Sequence, residues 1–572
     1  MPAPADTHLL LRAFADELAR CGVREACTSP GSRSSPLVLA LAREERLRCF
    51  SHIDERCAGF FALGAAKRSG RPVALTCTSG TAAANLAPAV IEAFQARVPL
   101  VVLTADRPPE LREVGAGQTI DQIELFGGAA KWFFEVGTHE ATPERGRWMR
   151  ALACRAVWTA LEGRPGPVHL NFALREPLVA PDELGEDPQP GRRGGRPWVL
   201  RSTPGEDAAA AGRALAIVAR DAHRPVVVAG RAEPDLAAVA AACERLGWPL
   251  LADPLSGARR GGAAIAHYDA LLRSQPFTAA RRPDLVLRCG DLPTSKVLRT
   301  WLDDLGPDVT QLGFDPHGAW QDPGASLEIV LAAGAAPTLV AAAEHTPTAD
   351  PSWLRGWRTA DLAAASAIDA ILGDGALSEP LVARALGAEL PSDATLFVAS
   401  SMPVRDVESF TAVRDDAPRV LCNRGANGID GTVSSAFGAA AAGAGPVVLL
   451  IGDVALAHDV GGLLAARRLP LAITIVLLDN DGGGIFEFLP IAGARDIFEE
   501  HVATPHGLDF AHAAALYGCD FVDVSDLAGL RDALTRALSG EATTIVRCKS
   551  DRAANLALHR ELSAAVAATV VA

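Results

Sequence analysis

Val447-Val448-Leu449-Leu450-Ile451 runs into Gly452-Asp453, and Ile473-Thr474-Ile475-Val476-Leu477-Leu478 runs into Asp479-Asn480-Asp481 and then Gly482-Gly483-Gly484. Both runs are short, apolar and bounded by turn residues, which reads as two buried strands. The stretch between them reads as a crossover helix, so the strands are expected to be parallel. In such a unit both carboxyl ends open on one edge of the sheet, where ligands bind. Asp453 and Asn480 are therefore expected side by side. Two hard oxygen ligands beside a glycine turn suit a magnesium ion that itself holds phosphates.

The same order occurs earlier in the chain. Val73-Ala74-Leu75-Thr76, then Ser79-Gly80-Thr81, a helical stretch and Arg97-Val98-Pro99-Leu100 lead into Val101 to Asp106. In the later copy, Arg468-Leu469-Pro470-Leu471 leads into the second run. Strand, polar turn, helix, Arg-x-Pro-Leu, strand and Asp recur, which points to two related outer domains. Between them, Pro225 to Arg231 and Leu285 to Gly290 are apolar strands ending in glycine, set among Ala-rich helical stretches. This is a third open sheet. It lacks a G-x-G-x-x-G, so no dinucleotide fingerprint is supported.

At 572 residues the chain exceeds one core. Two composition breaks, Glu183 to Asp207 and Ala341 to Arg355, are rich in Pro, Gly and charge and read as exposed linkers. They leave domains at 1–185, 206–342 and 356–572, giving an α/β chain of three open, mostly parallel sheets. A net charge of -14 argues against nucleic acid and an anionic membrane surface. The 11 cysteines have no C-x-x-C spacing and read as reduced thiols of a cytoplasmic protein. The N-terminus reads as an amphipathic helix, and no segment reads as membrane-inserting.

Several turns carry residues suited to chemistry. Thr28-Ser29-Pro30-Gly31-Ser32-Arg33-Ser34 offers backbone donors and a guanidinium, although a plain strand-to-helix turn with a Ser cap has the same look. In His52-Ile53-Asp54-Glu55-Arg56, Glu55 suits either a helix N-terminus or a buried acid. Asp106-Arg107-Pro108-Pro109 ends a buried strand, and Arg405 and Arg424 are read in turns after apolar strands. One such arginine is usually a surface ion pair. Several at strand ends would make a receptor for carboxylates, which Arg grips bidentately.

Together these motifs resemble the thiamine-diphosphate (ThDP) enzymes of the 2-oxoacid decarboxylase type. Gly452-Asp453 through Asn480 is similar to their diphosphate and metal motif, and Glu55 to their cofactor-activating glutamate. Within that superfamily the closest resemblance is to the 2-succinyl-5-enolpyruvyl-6-hydroxy-3-cyclohexene-1-carboxylate (SEPHCHC) synthase family of menaquinone biosynthesis. It rests on Ser29 to Ser34, His52 to Arg56, Thr78-Ser79-Gly80-Thr81, Leu103 to Glu110, Gly115-Ala116-Gly117-Gln118 and Asn423 to Gly431. Two positions depart from the superfamily pattern: Val454 replaces the usual third Gly, and Asp481 follows Asn480 where a second Asn is common.

The resemblance implies a transferase that decarboxylates 2-oxoglutarate and adds the succinyl carbanion equivalent to isochorismate. Acetolactate synthases and simple 2-oxoacid decarboxylases are the alternatives. It implies a metal, Mg2+ or Mn2+, held by Asp453, Asn480 and the Gly482 carbonyl. It also implies cofactor contacts from Glu55, Ser79, Gly80, Ser401, Ile429, Gly452 and Ile485. Arg405 and Arg424 are assigned to the succinyl part, and Arg33, Arg107 and Lys296 to isochorismate. Ser32, Gln118 and Ser401 would be neutral donors, and Phe486 an apolar wall. Catalysis would rest on Glu55, the four arginines, Lys296 and Gln118. Glu55 and Asp453 would serve one cofactor from different subunits, in a homodimer or a dimer of dimers.

Overall fold

The computed structural model describes residues 4–179, 184–201, 207–231, 236–373 and 376–570. Its strands form three six-stranded sheets. The first contains β1 (Glu25–Thr28), β2 (Arg48–Ser51), β3 (Val73–Cys77), β4 (Leu100–Asp106), β5 (Phe133–Glu135) and β6 (Val168–Ala173). The second contains β7 (Pro225–Ala229), β8 (Leu250–Ala252), β9 (Ala264–Ile265), β10 (Leu285–Cys289), β11 (Thr310–Phe314) and β12 (Ile329–Leu331). The third contains β13 (Thr395–Val398), β14 (Arg419–Cys422), β15 (Val447–Gly452), β16 (Thr474–Asp479), β17 (Asp520–Val524) and β18 (Thr544–Lys549).

The outer sheets have the orders β2-β1-β3-β4-β6-β5 and β14-β13-β15-β16-β18-β17. Each strand of the first block thus has a counterpart in the same place in the third. The repeated Arg-x-Pro-Leu motif reflects one topology used twice. Central strands β3, β4, β15 and β16 are buried almost throughout, which is why they read as unbroken apolar runs. The crossover between β15 and β16 differs from the single helix expected. It is three short helical pieces, Asp453–His458, Val460–Leu463 and Leu464–Arg468, broken around Asp459 and Gly461-Gly462.

The middle sheet, β12-β11-β10-β7-β8-β9, has the strand order of dinucleotide-binding folds. Where the strand order reverses, between β7 and β10, the turns close on each other. A Cβ on Gly230 would lie 1.7 Å from the Asp291 carbonyl oxygen. Arg231 and Asp291 pair at 2.6 Å across the same turns. Backbone and an ion pair thus fill the crevice that a dinucleotide would enter, in keeping with the missing glycine fingerprint.

The chain divides into two compact units. The first comprises Met1–Thr203, Asn423–Val447 and Ala457–Ile473; the second comprises Pro204–Cys422, Val448–Leu456 and Thr474–Ala572. In the second unit one apolar core joins Val226 and Val286 of the middle sheet to Val448 and Val476 of the third sheet. The helix Pro351–Leu372 supplies Trp357 and Ile368 to that core. The composition break at 341–355 is therefore a short turn leading into this helix. The other break is also no free linker. Its ends, Glu183 and 202–206, lie outside the described residues, but Asp187 and Gln189 are bonded to Arg150, whose side chain is 1% exposed. A buried guanidinium needs acceptors, and the Pro/Gly-rich strap provides two of them beside Asp16 and Glu17 of the first helix.

In the first unit the helix Glu55–Ser69 packs against the helix Thr432–Ala441 with backbone close to backbone. A Cβ on Gly64 would lie 1.9 Å from the Ser435 carbonyl oxygen, and one on Gly438 would lie 2.0 Å from that of Phe61. A methyl group at either position must push the helices apart. Gly64→Ala should therefore cost about 1–3 kcal/mol of stability, as overpacking generally does. Urea unfolding of the variant beside the parent protein measures this, and unchanged stability would contradict the close packing.

Candidate active site

Parallel pairing of β15 with β16 runs from Val448↔Thr474 to Gly452↔Leu478, so both strands end at one level. Asp453, 2% exposed, is the first residue beyond β15 and starts a helix there. Its Oδ1 accepts the Val454 N–H at 2.7 Å. Its Oδ2 accepts the N–H groups of Asn480 at 3.1 Å and Gly482 at 2.9 Å. Gly482 has φ +143°, and a Cβ there would lie 2.6 Å from the Ala503 carbonyl oxygen, so only glycine suits the position.

Asn480 donates from Nδ2 to Glu379 Oε1 at 2.8 Å. Its Oδ1 is buried and accepts no hydrogen bond. Such an orphaned acceptor is costly unless something electropositive meets it. Acids crowd the same place. Ligand atoms of Asp453, Asp479 and His506 lie within 4.8 Å of one another. Burial, then the charge of Asp453, pushes the Asp479 carboxyl up. Burial, then Asp406, pushes Glu379 up to about 7. A hard divalent cation would satisfy the Asn480 oxygen and offset the crowded carboxylates, so the donor set fits magnesium. Glu379 and His506 belong to no motif legible in the sequence.

The carboxyl edge of the first sheet gathers a second group. Arg107 donates from Nη1 to Ser79 Oγ. Ser79 Oγ donates to the Gln118 carbonyl at 3.1 Å, and Gln118 Nε2 donates back to the Ser79 carbonyl at 3.0 Å. The Gly80 N–H is held at 2.9 Å by buried Gln122, a residue that sequence reasoning missed. A Cβ on Gly31 would lie 2.3 Å from Thr78 Cβ, so glycine lets the turn bearing Arg33 sit against the end of β3. Arg33 is 7% exposed and donates to the Leu174 carbonyl at 2.8 Å and Glu176 Oε1 at 3.2 Å. Burial, then the charge of Arg33, lowers the pKa of Arg107. Two guanidiniums that strain each other in this way are stabilised by an anion between them.

Other sequence-derived residues occupy more open positions. Ser32 is exposed, and Ser34 makes no capping bond, since its Oγ donates to the Gly31 carbonyl. Glu55 is half-buried at the first position of its helix, with Asp54 as the cap. Burial, then the charge of Glu55, pushes the Cys77 thiol up, which puts Glu55 near the end of β3. Arg424 and Ile429 are half-buried in the loop that follows β14. These residues and the arginine group are all part of the first unit.

In the second unit Lys296, Arg405 and Ile485 line one cleft of about 1010 Å³. Arg273, Arg282 and Arg299 add charge to it, and Phe488 adds an apolar surface. The sequence places Arg405 in a turn. It sits instead on the helix Met402–Phe410, because Ser401 turns the chain sharply and Pro403 fits the first helical turn. Ser401 has φ +76° and ψ -134°, strained for a residue with a side chain. Arg405 Nη1 donates to the Ser401 carbonyl. Phe486 stacks over Gly483, where a Cβ would lie 2.6 Å from its ring.

Comparison with known proteins places the three domains in known families. Residues 10–125 match the family described as "Thiamine pyrophosphate enzyme, N-terminal TPP binding domain", and residues 407–548 match its C-terminal TPP binding domain. Residues 195–398 match "Middle domain of thiamine pyrophosphate". The three sheets and these matches define a thiamine-pyrophosphate-dependent enzyme. A relative in Halobacterium salinarum is 42% identical over 98% of each chain. One in Myxococcus xanthus is 43% identical over 100% of this chain and 99% of its own, and one in Geobacillus kaustophilus 43% over 96% of each. All three are named 2-succinyl-5-enolpyruvyl-6-hydroxy-3-cyclohexene-1-carboxylate synthase. The chain belongs to the SEPHCHC synthase family.

Proposed function

We propose that this protein forms SEPHCHC, releasing carbon dioxide from 2-oxoglutarate and joining the remaining four-carbon unit to isochorismate. The observation that carries this reading is the pair Arg33 and Arg107, held beside Ser79 and Gln118 on a chain of net charge -14. Both substrates are dianions near neutral pH, and an acidic protein needs local cations to gather them. Small apolar pockets suited to pyruvate have no use for such a set.

Asp453, Asn480 Oδ1 and the Gly482 carbonyl would hold Mg2+, or Mn2+, and through it the diphosphate. That carbonyl already accepts the Gly484 N–H at 3.0 Å and keeps a second lone pair. When bound, thiamine diphosphate supplies the carbon nucleophile and the sink for the electrons that carbon dioxide leaves behind. Glu55 would exchange a proton between its carboxylate and the cofactor's pyrimidine ring. Ser79, Gly80, Gly452, Ile485 and strained Ser401 would seat the cofactor, and Ile429 would press it into a bent shape. Arg405 and Arg424 would grip the carboxylates of the succinyl part. Arg33, Arg107 and Lys296 would grip those of isochorismate, assisted by Ser32 and Gln118, with Phe486 excluding water.

Among the described residues no helix is long and apolar enough to cross a membrane. All eleven cysteines are free thiols, ten of them buried, which fits an enzyme of the reducing cytoplasm. The working form we infer is a homodimer or a dimer of dimers in which Glu55 and Asp453 of different copies serve one cofactor.

Carbon dioxide release from 2-oxoglutarate, with thiamine diphosphate and Mg2+ and with product followed by mass, tests the reaction. A SEPHCHC mass that requires isochorismate is expected; turnover of pyruvate with 2-oxoglutarate ignored would overturn the reading. For the shared site, co-expressed Glu55→Gln and Asp453→Ala chains should give mixed dimers with partial activity, about a quarter to a half of the parent. Full inactivity of verified mixed dimers would refute that arrangement.

A further inference from the structure

Lys67 and Glu92 form an ion pair at 3.0 Å with side chains 6% and 5% exposed. Lys67 is in the last turn of the helix Glu55–Ser69, and Glu92 is on the helix Ala87–Ala96. A buried pair of this kind is poor evidence for stability, because desolvation offsets much of the attraction. Here its other bonds are the informative feature. Glu92 Oε1 accepts the Gly425 N–H at 2.9 Å, and Oε2 accepts the Ala426 N–H at 2.6 Å. Lys67 Nζ donates to Asn423 Oδ1 at 2.9 Å. Asn423 Nδ2 in turn donates to Ser435 Oγ at 3.0 Å, and that hydroxyl donates to the Phe60 carbonyl at 3.0 Å.

The residues held are those on either side of Arg424. A Cβ on Gly425 would lie 2.6 Å from the Glu92 carbonyl oxygen, so glycine lets the loop rest directly on the helix. Burial opposes ionisation of Glu92, yet the charge of Lys67 and the two N–H donors hold its carboxyl below the ordinary glutamate range. Its bonds to the loop are therefore charge-assisted. All of these residues are in the first unit.

We infer that Glu92, braced by Lys67, is a positioning residue that fixes the loop carrying Arg424 and so aims its guanidinium at a carboxylate of the 2-oxo acid. This rests on the reading above in which Arg424 grips that substrate. Glu92 is buried and its carboxylate is occupied by Lys67, Gly425 and Ala426, so its effect should pass through Arg424.

Glu92→Gln tests this in the full-length enzyme. Without any substrate, amide hydrogen exchange at 423–428 should be slow in the parent and at least about tenfold faster in the variant, the loss expected for charge-assisted hydrogen bonds. The KM for the 2-oxo acid should rise by about the same factor, with a smaller change in kcat. In an Arg424→Met background, adding Glu92→Gln should change kcat/KM by less than about twofold. Should the single variant not fold, Lys67→Met with Glu92→Gln removes both buried charges and is read the same way. Fast exchange at Gly425 and Ala426 in the parent, or exchange unchanged in the variant, would overturn the clamp. Equal losses in the parent and Arg424→Met backgrounds would overturn the link to Arg424. The exchange arm requires no turnover, and the kinetic arms use whichever 2-oxo acid the parent consumes. Failure of the inference is thereby distinguished from failure of the proposed reaction.

Discussion

One carboxylate at the end of a parallel strand organises the strand-end cluster of the second unit. Asp453 Oδ2 accepts N–H groups from Asn480 and Gly482, which ties the end of β15 to the turn beyond β16. That tie shapes the glycine turn and leaves the Asn480 Oδ1 buried without a donor. Glu379 holds the other end of the same amide. A polar constellation of this kind is half-satisfied by the chain itself, and a partly satisfied buried network is costly unless something completes it. Magnesium carrying a diphosphate would complete it, and the cost is the physical reason to read the place as a cofactor site.

The first sheet repeats the strand order of the third but uses its carboxyl edge differently. Where β15 runs into Asp453, the turns just beyond β3 and β4 carry Ser79, Gly80 and Arg107, and a later turn supplies Gln118. One topology used twice thus carries different polar side chains at its two carboxyl edges. The middle sheet has a third such edge by topology, but Gly230, Gly290, Arg231 and Asp291 close it. Its contribution is instead Lys296, which opens on a cleft shared with Arg405.

Much of this was legible in the sequence because strand cores, glycine turns and strand-end charges are local signals. The runs ending at Asp453 and Asn480 gave the parallel pair and the polar residues that follow it, and Arg-x-Pro-Leu gave the repeated topology. What escaped depends on contacts distant in sequence. Glu92 sits in a helix where an acid would ordinarily face solvent; only the fold shows it buried against Lys67 and the 423–426 backbone. Glu379, Gln122 and His506 lack any motif, and their contacts with Asn480, Gly80 and Asp453 span 42 to 101 residues. The Pro and Gly content of Glu183 to Asp207 reads as a linker. A buried Arg150 that needs acceptors is invisible to composition. Arg405 reads as a turn residue for a local reason: Ser401 takes a backbone conformation normally left to glycine, and the helix begins directly after it at Met402.

The most direct test of the central claim is the position of a bound cation. Crystals grown with Mn2+ and thiamine diphosphate, measured at a wavelength where manganese scatters anomalously, would locate it. The account predicts one strong peak about 2 Å from an Asp453 oxygen, Asn480 Oδ1 and the Gly482 carbonyl oxygen. A peak held by Asp479 and His506 that leaves Asn480 Oδ1 unliganded, or no peak at these strand ends with cofactor bound, would contradict it.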